Sequence, residues 1–409
     1  MKIGIAGPID LQLLNIKEKS FPRTYAYPLT SYLINGLMER GHEVVAFTVS
    51  GDIDKPTTIK ASNQLTICLG LSDHHAGRRF FKREIESLRQ LMQQEEPDII
   101  HAHWTYEFAL AAIKSGLPHV VTIHDNAFMI MKHNFDPYRL IRWIINFQAI
   151  ERADRLIANS DYIYSTLSGK SKSKARVIYN FYPNALIRPA AANKPAEKYL
   201  VTVSHDFNRT KNIDTALRAF ALLRQRYPNL EYRLIGANMK TLGSAHRYAI
   251  KNNLTDGVHF MGLKSYDETL EIVSGAFAML HPSREESFGM SVLEGIMLGT
   301  PAVGGINSGN IPYLLNWGEA GVVCDIENPE EIAKGVIKLI EDESYYHELR
   351  KSAREMAIRK YSETRIINEH INYYNDILSG NKNGYTQGEI VPSLKWGLAG
   401  SGGSTATAF

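Results

Sequence analysis

Short apolar runs alternate with stretches of helical periodicity from one end of this chain to the other. The runs of the first half fall at 3–6, 43–48, 65–69, 98–101, 119–123, 155–158 and 176–179. Helical spacing, with apolar residues recurring every three or four positions, occupies 29–40, 79–94 and 138–152. A second series of strand-like runs falls at 199–204, 231–235, 258–261, 277–280, 302–303 and 321–324, with helices at 212–225, 329–341 and 345–360. Strands that alternate with helices pack as a parallel sheet wrapped by those helices, so each series predicts one doubly wound α/β domain. Between the two series, 181–198 holds Pro183, Pro189, an alanine run at 190–192 and no periodicity, and reads as a linker. The expected boundaries are 1–183 for an N-terminal Rossmann-like domain, 184–198 for the linker and 199–360 for the C-terminal domain. A last helix is expected at 361–378, after the Tyr361-Ser362 cap. From 379 to 409 Gly, Ser, Thr and Asn dominate and disorder is expected, with Leu394, Trp396 and Leu398 the one place for a short docking element.

A length of 409 residues exceeds what one core comfortably serves, which favours two domains. Hydrophobic and charged contents of 44% and 22% are those of an ordinary globular chain, and a net charge of +3 is too slight for a nucleic-acid-binding stripe. Cys68 and Cys324 lie far apart in apolar runs. They make neither a metal spacing nor a disulfide framework, and they fit a reducing compartment. Pro8 and Asp10 cut the first apolar run too early for a secretory signal. No apolar run approaches the ~18 residues of a membrane helix, so a cytoplasmic location is expected. The absence of Gly-x-Gly-x-x-Gly argues against a dinucleotide oxidoreductase, and there is no P-loop.

The most informative chemistry lies at 283–301. Ser287-Phe288-Gly289 reads as a tight turn and 290–298 as a short helix stopped by Gly299 and Pro301. Glu286 then sits in the loop before the helix and Glu294 on its second turn. Between them stand the N–H groups of Gly289, Met290 and Ser291, at a helix N-terminus that favours anions. Two hydroxyl-accepting carboxylates flanking a phosphate cradle match the ribose, diphosphate and sugar of a nucleotide sugar. Glu pairs at this spacing arise often by chance. Here, however, the pair sits between an apolar strand ending His281-Pro282-Ser283 and another strand that begins after Gly299.

Other candidates lie at strand ends. Arg209 and Lys211 come just after the strand at 199–204, as a helix begins, where two cations suit a diphosphate. His124-Asp125 ends the run at 119–123, at the edge where ligands of such sheets collect, with Asp125 placed to orient the imidazole or to cap the next segment. His101 and His103 end the neighbouring run; with no third ligand evident they read as pocket-lining or core residues rather than a metal pair. Gly7 follows the first strand, and Ser308 and Gly309 lie in a Gly-rich loop that offers polar contacts or forms a plain turn. Cations interleave with aromatics at 78–83 and 129–147, a pattern shared by solvated helix faces and by surfaces that meet anionic lipid headgroups.

The strand–loop–helix–strand block around Glu286 and Glu294 resembles the donor-binding core of retaining GT-B glycosyltransferases, family four in particular, whose signature is two Glu separated by seven residues. The resemblance runs over about 1–378 and is closest at 198–324. It implies two Rossmann-like domains facing a central cleft, an acceptor domain first and a nucleotide-sugar domain second, with the last helix crossing back onto the first. It also implies transfer of a sugar, hexosyltransferase-like, to a hydroxyl with retention, no bound metal and no cofactor, the donor being a UDP- or GDP-sugar. Carried residue by residue, it makes His124, Lys211 and Glu286 catalytic: His124 faces the transferred sugar, Lys211 the diphosphate and Glu286 the sugar hydroxyls. Glu294 accepts ribose hydroxyls, with Gly7, Gly289, Met290 and Ser291 lending backbone to the donor. The family's strand-end Arg is replaced here by Ser204-His205-Asp206, leaving Arg209 or a protonated His205 for that role. The family's Gly-Gly turn is replaced by Phe21-Pro22-Arg23, and Pro312 takes the place of an acidic residue. The partners implied are a nucleotide sugar and a glycan or lipid-linked acceptor, in cell-surface polysaccharide or glycolipid synthesis. Peripheral contact with the inner face of an anionic membrane is the expectation that rests on the aromatic–basic runs at 78–83 and 129–147, beside a plain solvated face. Two other classes remain on the same scaffold: a non-catalytic sugar-nucleotide- or glycan-binding subunit, and a sugar-nucleotide epimerase.

Overall fold

A computed structural model describes residues 1–17, 20–73, 76–133, 135–187 and 198–380. Most of the expected linker, 188–197, and nearly all of the expected tail, 381–409, lie outside the described residues. Eight strands form the first sheet: β1 Lys2–Ala6, β2 Glu43–Ser50, β3 Thr57–Lys60, β4 Leu65–Leu71, β5 Ile99–His103, β6 His119–Ile123, β7 Leu156–Ala158 and β8 Ala175–Val177. Their order is β3-β4-β2-β1-β5-β6-β7-β8. All pairs are parallel except β3 with β4. The second sheet has six parallel strands, β9 Tyr199–Val203, β10 Glu231–Ile235, β11 Val258–Gly262, β12 Ala278–His281, β13 Ala302–Gly305 and β14 Val322–Cys324. Their order, β11-β10-β9-β12-β13-β14, is that of a dinucleotide-fold sheet. The expected α/β fold of two doubly wound units is therefore present.

The apolar runs become strands because helices cover both sheet faces. Ile3, Ile5, Val44, Val45, Val120 and Val121 are all fully buried. In each sheet the strand order reverses direction at one point, between β1 and β5 and between β9 and β12. Connections leave the carboxyl ends there in opposite directions and open a crevice. Gly7, His103 and His124 lie at that edge of the first sheet, and His205–Lys211 and His281–Glu286 at that of the second.

The helix Glu363–Leu378 packs on the first unit. Its Ile366, Ile367 and Tyr374 share a core with Leu33, Ile34 and Leu37 of the helix Pro28–Glu39. The Tyr374 hydroxyl lies 2.7 Å from His101 Nδ1. Both cysteines are free, and burial pushes each thiol up to about 12, so neither is a ready nucleophile. Among the described residues no helix is long and apolar enough to cross a membrane.

Candidate active site

The loop after β12 is built around Glu286. Its Oε1 accepts a hydrogen bond from Lys211 Nζ at 2.6 Å, and His281 Nε2 stands 3.4 Å away, too misaligned for a proper hydrogen bond. Burial pulls the Glu286 carboxyl upward, but the Lys211 ammonium and the nearby imidazole outweigh it and hold the group well below the usual carboxylate range. Glu286 is therefore an anion in the folded protein, an acceptor rather than a proton donor. The Gly-rich loop fixes its backbone. Gly309, at φ +58°, lets the chain pass so close that a Cβ there would lie 2.3 Å from the Glu286 carbonyl oxygen. Asn310 N–H donates to that oxygen at 2.8 Å, and its side-chain amide donates to the Phe288 carbonyl at 3.0 Å. In this structure the loop thus buttresses Glu286.

Gly289, at φ +97°, turns the chain into the helix Met290–Met297. No side chain caps this helix; Val292 N–H donates to the Gly289 carbonyl at 3.0 Å, and the N–H groups of Met290 and Ser291 at the helix end remain for an anion. Glu294 lies one turn on. The Tyr266 hydroxyl donates to its Oε1 at 2.7 Å. Burial raises its pKa to about 7, with Tyr266 only partly offsetting the rise. Glu286 and Glu294 are thus tuned in opposite directions, one by a cation and one by desolvation.

Lys211 comes from the loop after β9, held by Asn208, whose carbonyl and side-chain oxygens both accept from Lys211 N–H at 3.1 Å. His205 and Arg209 are exposed on the same loop. Arg284 pairs with Glu327 at 2.6 Å and also donates to the Arg209 carbonyl. Lys211 and Glu286 are brought together; His205 and Arg209 stay at the rim.

The opposite wall is a histidine cluster. His124 Nε2 lies 2.9 Å from His103 Nδ1, and the indole of Trp104 stacks on His124 with centroids 4.4 Å apart. Trp104 reaches this position through φ +66°, a left-handed conformation unusual for a bulky residue and typical of a functional edge. Tyr27 packs edge-on against both Trp104 and His124. His101 is satisfied by Tyr374 and by Thr122, at 2.7 and 2.6 Å, and is a core residue, whereas His103 lines the pocket. Gly7 passes directly beneath: a Cβ on it would sit 3.0 Å from that of His103.

Thr30, His103, His124, Asn180 and His370 contribute to the lining of a cavity of about 20 Å³, enough for a bound water. Thr30 Oγ1, His103 Nε2 and His370 Nδ1 are buried without a protein partner. Burial, followed by the charge of His370, lowers the His124 pKa to about 3, so the ring is neutral. The ring's hydrogen-bond partner is His103, not Asp125. The Asp125 carboxylate instead accepts from the Tyr106 hydroxyl at 2.9 and 3.0 Å and faces Arg142 at 3.7 Å, while Asn126 Oδ1 caps Met129 N–H.

The two walls touch. Ser160 donates its hydroxyl to the Ser287 carbonyl at 2.6 Å, and Tyr162 lies near Glu285, whose carboxyl is raised by burial. The Glu294 charge is felt by Tyr27, which packs on His124. Sequence reasoning missed Tyr27, Trp104, Tyr162, Tyr266, Glu285 and His370. Only His370 carried a signal: it falls on the apolar face of its helix, four positions after Ile366 and before Tyr374. No cluster of three or more His, Cys, Asp or Glu side chains arranged for a metal ion occurs among the described residues.

Comparison with known proteins agrees with this geometry. The family model "Glycosyl transferases group 1" matches residues 187–356, and "Glycosyltransferase Family 4" matches 29–184. N-acetyl-alpha-D-glucosaminyl L-malate synthase of Bacillus anthracis is 24% identical over 319 residues, covering 73% of this chain and 79% of that protein. A D-inositol 3-phosphate glycosyltransferase of Nocardioides is 25% identical over 68% of this chain and 67% of its own length. Among solved structures, sucrose-phosphate synthase of Thermosynechococcus elongatus superposes with a TM-score of 0.73 at 18% identity, over 93% of this chain and 99% of that one. Anabaena HepE in complex with UDP and glucose gives 0.68 at 16% identity, over 92% and 99%. Two family models that divide nearly the whole fold between them, on two sheets that face a cleft, place this chain among the GT-B glycosyltransferases of the family 4 type.

Proposed function

We propose that the protein transfers a sugar from a nucleotide-sugar donor to a hydroxyl acceptor, with retention of anomeric configuration and without a bound metal. The observation that carries this reading is the arrangement around the uncapped N-terminus of the helix Met290–Met297, with an anionic Glu286 on one side and Glu294 on the other. The diphosphate lies on that helix end, met by Lys211 from the facing loop and by Arg209 at the rim. Ribose hydroxyls donate to Glu294 and sugar hydroxyls to Glu286. His124 contacts the sugar from the first domain, its neutral ring held by His103 and Trp104.

In this reading the bond between the anomeric carbon and the phosphate oxygen breaks with its electron pair going to the phosphate. Lys211 and the helix N–H groups stabilise that charge. The acceptor oxygen attacks from the face the phosphate leaves, and its proton passes to the departing phosphate oxygen. No residue is assigned as a covalent nucleophile.

A panel of UDP- and GDP-sugars, read for both nucleoside diphosphate release and glycoside formation, tests the reaction class. Binding without turnover favours a non-catalytic subunit, and diphosphate release without a glycoside favours an epimerase-like or hydrolytic enzyme. His124→Ala should lower turnover far more than nucleoside diphosphate affinity, because that ligand lacks the sugar. Equal losses in the two quantities would place the sugar elsewhere.

A further inference from the structure

The helices Ala127–His133 and Pro137–Arg152 form a hairpin that leaves much of its apolar surface without a protein partner. The shorter helix buries only Ala127, and the longer only Ile145, Asn146 and Ala149. Phe128, Phe135, Tyr138, Ile144 and Phe147 are exposed, Phe135 to 72% and Phe147 to 59%. The rings of Phe128 and Trp143, 6.1 Å apart, join the two helices into one surface. Single exposed apolar side chains are ordinary, but five large ones on one hairpin mark a contact surface. Of the two aromatics in the run at 78–83, by contrast, Phe81 turns into the core and Phe80 is exposed.

The charge around the hairpin is net positive. Residues 127–152 carry Lys132, Arg139, Arg142 and Arg152 against Asp136 and Glu151; Arg139 pairs with Asp136 and Arg142 with Asp125, while Lys132 and Arg152 are exposed. Both acids are engaged locally: Asp136 caps the longer helix at Arg139 N–H and pairs with the Arg139 guanidinium, and Glu151 accepts from Ser171 at 2.8 Å. The helix Gly169–Ser173, packed beside the longer helix, adds Lys170 and Lys172.

This charge selects among possible occupants. The chain's own residues 381–409 carry Lys382 and Lys395 against Glu389 and bring no negative surface. A second copy would bring the same basic hairpin. An anionic lipid surface satisfies both features, since aromatic rings settle among headgroups and cations meet lipid phosphates. We propose that this hairpin seats the protein on an anionic bilayer surface. His124 connects to the hairpin through Asp125 and Asn126 alone, so docking would hold the first wall of the cleft at the membrane. On the transfer reading above, a lipid-borne hydroxyl acceptor would meet the cleft there.

The test is sedimentation of the full chain with vesicles of phosphatidylcholine, with and without phosphatidylglycerol. Partition into the anionic vesicles is expected, weakened by high salt. Phe135→Ser/Phe147→Ser, and separately Lys132→Glu/Lys170→Glu, should each lower the partition coefficient by about tenfold or more, with thermal unfolding and nucleotide affinity unchanged. Absence of partition by the unaltered chain, or partition by either variant equal to that of the unaltered chain, overturns the proposal. So does a concentration-dependent dimer that Phe135→Ser/Phe147→Ser abolishes and that anionic vesicles leave intact, because a second copy would then be the occupant. Partition is read without donor or acceptor, so its failure and the failure of the transfer reading are separate outcomes.

Discussion

Glu294 is the group whose charge the donor reading depends on most, and that charge is held near its balance point. Burial raises its pKa to about 7. Taking the pH from 8 to 6 carries such a carboxyl from about nine-tenths ionised to about one-tenth. Ribose hydroxyls need it as an acceptor, and each charge-assisted hydrogen bond is worth ~1.5–3 kcal/mol. If only the ionised form binds, nucleoside diphosphate affinity falls about tenfold over that interval, in proportion to the competent fraction. Stability runs the opposite way. The folded state holds this proton more tightly than the unfolded chain does, so its stabilising effect is full below the ordinary value of 4.5 and is lost as pH rises through about 7. Calorimetric titration of nucleoside diphosphate across this range is the assay. Glu294→Gln supplies the baseline, because the terminal phosphate also titrates near pH ~6 and that slope must be subtracted. Tyr266→Phe removes a hydrogen bond that lowers the Glu294 pKa and should shift the midpoint upward. A flat profile after subtraction, or a Gln variant that binds as tightly as the unaltered chain, would refute the assignment.

Lys211→Met leaves the partly buried Glu286 without its cation. It should cost roughly 2–3 kcal/mol in denaturant unfolding, below the fully buried range because both side chains keep some solvent, and it should also weaken diphosphate binding. Unchanged values for both would remove Lys211 from the site. Transfer activity should survive excess EDTA; its abolition and recovery with Mn²⁺ would overturn the metal-independent reading. His124 and His370, held neutral by burial with pKa values of about 3 against 6.5 unfolded, favour the folded state above pH ~6.5 and oppose it as pH falls. At pH 5 each should cost about 2 kcal/mol, read as a lower urea midpoint than at pH 7 in a Glu294→Gln background that removes the opposing carboxyl, and equal midpoints there would contradict the buried cluster.

Fully buried strands read as nearly continuous apolar runs, and the run at 119–123 matches its strand to the residue. The strand 231–235 is matched as well, although Glu231 and Arg233 are only half-buried and its apolar residues are Tyr232, Leu234 and Ile235. β3 escaped notice because Thr57–Lys60 is a polar edge strand that alternates between half-buried and exposed positions. The helix Glu107–Ser115 was missed because Phe-Ala-Leu-Ala-Ala-Ile has almost no polar face to give a period. The loop and helix around Glu286 and Glu294 were legible because glycine, helix and carboxylates are contiguous there. The pairing of His103 with His124 depends on β5 lying beside β6, with His103 opposite Thr122. That register is a tertiary fact. Asp125 looked like the natural partner of His124 because it is adjacent in sequence, but successive residues leaving a strand point in different directions, and Tyr106 and Arg142 claim it.

The segment from Glu285 to Met290 belongs mechanically to both domains. Its own domain holds it through Gly309 and Asn310, and the first domain holds it through Ser160 and Asn180. A change in the angle between the domains must therefore move or release the Ser287 carbonyl, next to Glu286 in the chain, and the Met290 sulfur. Glu286 meanwhile holds Lys211 at 2.6 Å, spending on an internal pair the cation that a diphosphate would need. Donor binding then has to divide Lys211 between carboxylate and phosphate while the sugar hydroxyls take up the acceptor capacity that Lys211 gives back. The exchange is strongest in a closed cleft, where water is excluded and each charge contact gains strength. On the proposed reading, closure and charge redistribution act on the same few atoms, because Glu286 sits on a loop that both domains grip.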